Sequence, residues 1–82
     1  MTREEIVKIT NDFLIDEIEV EPGAISETAS FKNDLGIDSL DFVDIVVIVE
    51  KKFGFKIKAE EMAGVTNLGG FYDYIETKVK NS

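Results

Sequence analysis

Ser39-Leu40-Asp41-Phe42-Val43-Asp44-Ile45-Val46-Val47-Ile48-Val49-Glu50-Lys51-Lys52-Phe53 is the stretch on which the fold turns. Its centre, Ile45 to Val49, is wholly β-branched, and stiffness at χ1 favours a buried strand there. The polar positions say otherwise. Asp41, Asp44 and Lys51 share one face at helical spacing, while Leu40, Val43, Val46, Val47 and Phe53 suit the opposite, core-facing side. The run is also long for a strand, Asp38 precedes it as an N-cap and Gly54 follows as a stop. The stretch is therefore read as a helix, with Ile48 projecting exposed beside Asp41 and Asp44 and Phe42 partly covered.

Upstream, Thr2-Arg3-Glu4-Glu5 has the spacing of a capping box. Ile6, Ile9, Phe13 and Leu14, with Thr10 on the same face, predict an amphipathic helix ending near Asp16 to Ile18. Residues 19–37 keep no period. Pro22-Gly23 punctuates them, and a connection this long in a compact domain must be tied down; Phe31, Leu35 and Ile37 are the expected anchors, and a single helical turn fits within it. Downstream, Phe55 and Ile57 alternate with Lys56 and Lys58 in an extended connector, and 59–63 predicts one or two helical turns. Thr66 or Asn67 then caps a last helix with Leu68, Phe71, Tyr72, Ile75 and Val79 on one stripe. Gly69-Gly70 in its first turn costs about 1 kcal/mol each relative to Ala, so this helix is expected to start weakly. The sum is an all-α, four-helix bundle in one domain (1–82), with a long loop between helices 1 and 2 and a short third helix.

Composition narrows the chemistry. The chain has no Cys and no His, which excludes disulfides, thiolate metal sites and a Ser-His-Asp enzyme. Apolar residues at 44% and charged residues at 32% give a globular balance. A net charge of −8 disfavours nucleic acid and anionic lipid and favours basic protein surfaces. No segment approaches a membrane span, and the first residues contain no apolar secretory core, so a cytoplasmic protein is expected; a monomer is expected as well. An EF-hand loop fails on register: counting from Asp34 puts Ser39 where Gly is needed and Ile45 where Glu is needed. No metal site is expected.

The informative motif is Asp34-Leu35-Gly36-Ile37-Asp38-Ser39-Leu40-Asp41. Gly36 allows a sharp turn, Leu35 and Ile37 can insert into the core, and Asp38 can cap the incoming helix. Ser39 then stands at the first turn, where the helix dipole favours a phosphate. Nothing nearby could take its proton, so it is a poor nucleophile and a reasonable anchor for a phosphodiester. The same residues are also an ordinary helix start, with Asp38 as cap and Asp41 as first-turn acid.

The motif resembles the phosphopantetheine-attachment motif of acyl carrier proteins. The resemblance continues through Glu50-Lys51-Lys52-Phe53-Gly54, and more weakly through Val65-Thr66-Asn67-Leu68 and Tyr72-Asp73-Tyr74-Ile75. It implies a carrier rather than an enzyme, with a covalent 4'-phosphopantetheine arm on Ser39 that holds acyl groups as thioesters during fatty-acid or related lipid or polyketide biosynthesis. A phosphopantetheinyl transferase would install the arm, and acyl synthases and transferases with basic docking surfaces would use it. Docking is then expected on Asp38, Asp41 and Asp44, with Leu40 and Val47 as apolar centre and Ile48 beside them. Val43, Val46 and Val47, with Ile57 and Val65 near the mouth, are the expected shelter for the acyl chain, and plain core is the competing reading of each. Lys51-Lys52 and the apolar Ile48 depart from the usual acidic run, which keeps open a dedicated polyketide, aryl-polyene, modified-lipid, aminoacyl or peptidyl pathway. An acidic interaction module with an unmodified serine is a further alternative.

Overall fold

The computed structural model describes residues 1–81; Ser82, the last residue of the expected domain, lies outside the described residues. Among these residues there are four α-helices and no strand: α1 (Arg3–Asp16), α2 (Ser39–Phe53), α3 (Ala59–Met62) and α4 (Leu68–Asn81), with one 3-10 turn at Pro22–Ala24 in the long first loop. The all-α reading holds, including the β-branched run.

Helix α1 begins with the expected capping box. The Thr2 hydroxyl accepts the Glu5 N–H at 3.2 Å, and the Glu5 carboxylate accepts the Thr2 N–H at 3.1 Å. The Thr2 N–H, and with it the Thr2 hydroxyl, which donates to the same carboxylate oxygen at 3.1 Å, holds the Glu5 carboxyl below its ordinary pKa, because both bonds favour the charged form. Ile6, Thr10, Phe13 and Leu14 are buried and Ile9 is half-buried, as the stripe requires. Thr10 is fully buried and its Oγ1 has no hydrogen-bond partner among the described residues. Thr10→Val removes that stranded hydroxyl and keeps the shape, so it is expected to stabilise the fold by about 1 kcal/mol. Urea unfolding would show a higher midpoint at unchanged slope; a lower midpoint would mean that the hydroxyl is satisfied.

The loop from α1 to α2 is pinned where the sequence indicates, with Phe31, Leu35 and Ile37 buried in the core. Val20 and Ala29 are buried as well. Val20 reaches the core because Glu19 adopts a left-handed conformation (φ 64°) just beyond α1, after which the Val20 N–H donates to the Leu14 carbonyl at 2.9 Å. Arg3 fastens the outer side of this loop. It pairs with Glu27 at 3.2 Å and with Asp73 of α4, and lies over the Tyr72 ring, whose hydroxyl donates to Asn11.

The start of α4 is firmer than its glycines predict. The Leu68 N–H donates to the Ala29 carbonyl at 3.0 Å, Gly69 N–H to Glu27 at 2.8 Å, and Gly70 N–H to the Asn67 side chain at 2.8 Å. The loop thus supplies two of the acceptors that a helix N-terminus lacks. Leu68, Phe71, Tyr72 and Ile75 then fill the core. The short α3 is held to α4 by Glu61, which pairs with Lys78 at 2.8 Å and accepts the Tyr74 hydroxyl at 3.1 Å.

The structure corrects the orientation of α2. Ile45 and Val49 are fully buried, Phe42, Val46, Ile48 and Phe53 pack half-buried against the core, and Leu40, Val43 and Val47 are exposed. Two apolar stripes compete on this helix. The stripe Phe42, Ile45, Val46, Val49, Phe53 carries both phenylalanines, and rings bury more apolar area than the Leu40, Val43, Val47 stripe can offer. The heavier stripe faces inward. Ile48 is therefore not the exposed contact that the acids beside it suggest.

Candidate functional site

Ser39 is the first residue of α2, and its position follows from three local choices. Gly36 takes φ 66°, a left-handed conformation that a side chain would strain, and so turns the chain between the buried Leu35 and Ile37. The Ile37 N–H donates to the Phe31 carbonyl at 2.8 Å, which closes the turn. Asp38 then caps α2, its carboxylate accepting the Asp41 N–H at 2.9 Å. The Asp34 carboxylate is engaged in the same way upstream, accepting the Ser30 N–H at 2.7 Å. Both motif aspartates beside Gly36 thus have a structural task.

Ser39 is exposed, as is Leu40, and Asp41 is half-buried. The serine borders an open hollow of about 350 Å³ together with Phe31, Lys32, Gly36, Ile37 and Asp38. The first-turn N–H groups of α2 point toward this end of the helix and favour an anion. An exposed hydroxyl, a helix N-terminus and a cation in the wall of the same hollow together fit a phosphodiester on Ser39. Lys32 is the member that the sequence reading missed; no spacing rule links it to Ser39.

Beyond the serine, the exposed face of α2 carries Leu40 (79% exposed), Val43 (61%) and Val47 (46%), with Asp44 exposed alongside. Leu40 and Val47 are thus available at the surface. Val43 and Val47 do not stand on the inner wall where a shelter would need them, because the phenylalanine stripe has taken that side. Val46 is half-buried, Ile57 is buried and Val65 is half-buried. Val65 lines a hollow between α3 and α4 with Tyr74 and Lys78, whereas Val47 lines another with Ile18 and Ile48. Lys51 borders the latter hollow beside Glu17 and Asp44, and Lys52 borders a third beside Asp12, Asp16 and Glu17. Both lysines thus sit among the chain's own acids.

No helix among the described residues is long and apolar enough to cross a membrane. Residues 12–75 match the family described as "Phosphopantetheine attachment site". An acyl carrier protein of Porphyromonas gingivalis is 37% identical over 76 residues, covering 93% of this chain and 97% of that protein. An acyl carrier protein of Prochlorococcus marinus is 35% identical over 78 residues, covering 95% and 98%. The match spans the turn, the capped helix and the exposed serine described above. The prosthetic group of these proteins is a covalently attached phosphopantetheine, which fits the serine hollow. The chain belongs to the acyl carrier protein family, whose members carry acyl groups on phosphopantetheine and are not themselves enzymes.

Proposed function

We propose that Ser39 is the attachment point of the arm and that the chain, acting as a single cytoplasmic carrier domain and a monomer, serves fatty-acid or related lipid or polyketide biosynthesis. The observation that carries this reading is the exposed Ser39 hydroxyl at the capped start of α2, inside the matched motif. The bound group supplies a thiol that holds the acyl cargo as a thioester. The chain's own residues do the rest. Asp38 and Gly36 fix the backbone that places Ser39 at an exposed position, and the chain holds no His or Cys beside it to act as a base. The transferase must take the proton from that oxygen as the arm's phosphate passes to it from coenzyme A, the pyrophosphate bond breaking and adenosine 3',5'-bisphosphate leaving.

Docking of basic partner enzymes is assigned to Asp38, Asp41 and Asp44 with Leu40 and Val47, to which exposure adds Val43. Val46, Ile57 and Val65 remain the candidates for sheltering the acyl chain. The apolar ridge Leu40, Val43, Val47, together with Lys51-Lys52 lower on the same helix, favours a second reading in which the carrier serves a specialised pathway whose enzymes present apolar as well as basic contacts.

Incubation with coenzyme A and a broad-specificity phosphopantetheinyl transferase, followed by intact mass spectrometry, tests the attachment. One added arm is expected, and none on Ser39→Ala; an arm on the alanine variant refutes the assignment. Asp44→Lys is expected to lower transferase kcat/KM roughly tenfold through lost steering, with a change in melting temperature of only about 2 °C for an exposed residue. Equal losses of rate and stability would remove Asp44 from the docking face.

A further inference from the structure

We propose that Lys32 is a positioning residue for the arm: its ammonium pairs with the phosphodiester on Ser39 and biases the arm toward the loop side of the site, away from the acidic face of α2. The inference rests on the assignment of Ser39 as the attachment point.

Lys32 and Ser39 border one hollow, and among the residues lining it Lys32 is the only cation. Its side chain is exposed and forms no ion pair among the described residues. The nearby motif acids have other partners. Asp34 faces the Ser30 N–H at 2.7 Å and Asp38 faces the Asp41 N–H at 2.9 Å. A phosphodiester keeps its single negative charge throughout the physiological range. Installed on Ser39, it follows Asp38 and precedes Asp41 and Asp44. Asp41 and Asp44 disfavour their side of α2 by like charge, whereas Asp38, which borders the same hollow as Lys32, is turned to the Asp41 N–H. The first-turn N–H groups attract it but do not distinguish one side of the helix axis from the other. Lys32 does, because it lies on the wall built by Phe31, Gly36 and Ile37, where the one acid of the hollow, Asp38, is engaged in capping α2. An exposed pair of this kind is worth a bias of roughly two- to fivefold, which salt would erase. A bias of that size does not clamp the arm. It sets the side from which partner enzymes first meet the cargo, and still lets them pull the arm across.

The test uses the full chain loaded with the arm. Peptide mapping first locates the arm; if it is not on Ser39, the attachment reading falls and this inference falls with it. With the arm on Ser39, a nitroxide on its thiol reports where the arm dwells through broadening of backbone amide signals. The expected result is stronger broadening over residues 31–37 than over residues 40–47. That ratio should drop two- to fivefold in Lys32→Gln and in high salt, persist in Lys32→Arg, and stay unchanged in Lys80→Gln, a charge control elsewhere on the surface. The phosphorus resonance of the phosphodiester should shift in Lys32→Gln and not in Lys80→Gln. Superimposable broadening patterns for the wild type and Lys32→Gln overturn the role of Lys32 while leaving Ser39 as the attachment point. An equal response in Lys80→Gln assigns the effect to net charge and overturns it as well.

Discussion

Phe71→Ala is expected to cost about 3–5 kcal/mol and to lower the melting temperature by roughly 15–30 °C. Phe71 is fully buried on α4, and its ring meets the edge of Phe31 at 5.5 Å and 82°. Phe31 in turn meets Phe42 of α2 at 6.5 Å and 74°. Three rings thus join the last helix, the long loop and the helix that carries Ser39. Truncating the innermost ring empties a space that no neighbour can fill without unpinning the loop, and it forfeits the edge contact as well. A domain of this length has total stability on the order of 4–12 kcal/mol, so the loss is a large share of it. The effect should reach the site: Phe31 walls the hollow beside Ser39, so amides of residues 31–38 should lose hydrogen-exchange protection before those of α1. Thermal melts followed by circular dichroism check the first part. A shift below about 5 °C would mean that the ring chain is not a structural link.

Gly69→Ala should destabilise by about 1–3 kcal/mol, although helix propensity alone promises a gain of about 1 kcal/mol. A Cβ at this position would stand 2.9 Å from the Glu27 carbonyl oxygen and 3.3 Å from the Glu27 Cβ. The carbonyl cannot withdraw freely, because it accepts the Gly69 N–H at 2.8 Å and so caps α4. Adding the methyl group pushes the loop off the helix start and costs that hydrogen bond. Gly64→Ala is the control, since a Cβ there meets nothing within 4 Å. Chemical unfolding of the pair decides the matter. A more stable Gly69→Ala would show that propensity governs the start of α4 and that the loop is not a cap.

These two residues also mark where the sequence is legible and where it is not. Features decided within a few residues could be read directly. The Thr2–Glu5 capping box, the Asp38 cap and the Gly54 stop are side-chain or backbone devices with short-range signatures, and all three stand in the structure. The stripes of α1 and α4 were equally plain, because each has one apolar face. Helix α2 was legible as a helix but not in its rotation. It is apolar on two sides, and what selects the inner side is the combined burial of Ile45 and Val49 with the partly covered Phe42, Val46 and Phe53 against the rest of the molecule, a tertiary property. Val20 was missed because Glu19, not Gly, occupies the left-handed turn that brings it inward. At the start of α4 the Asn67 cap is legible in the sequence, whereas the two further acceptors, the carbonyls of Glu27 and Ala29, are not, because they lie some forty residues earlier in the chain.

At the site the division is similar. The motif around Ser39 could be read from the sequence, because a turn, a cap and a helix start are contiguous. The exposed Val43 and the cation Lys32 could not, since one depends on the rotation of α2 and the other on how the loop folds back. Neither leaves a period or a motif in the sequence.

The carrier assignment is tested most directly by peptide mapping of the protein isolated from its own host by mass spectrometry. A phosphopantetheine arm is expected on the peptide containing Ser39, free or carrying an acyl group, and on no other residue. A population with Ser39 unmodified throughout, or with the arm on a different side chain, would contradict it.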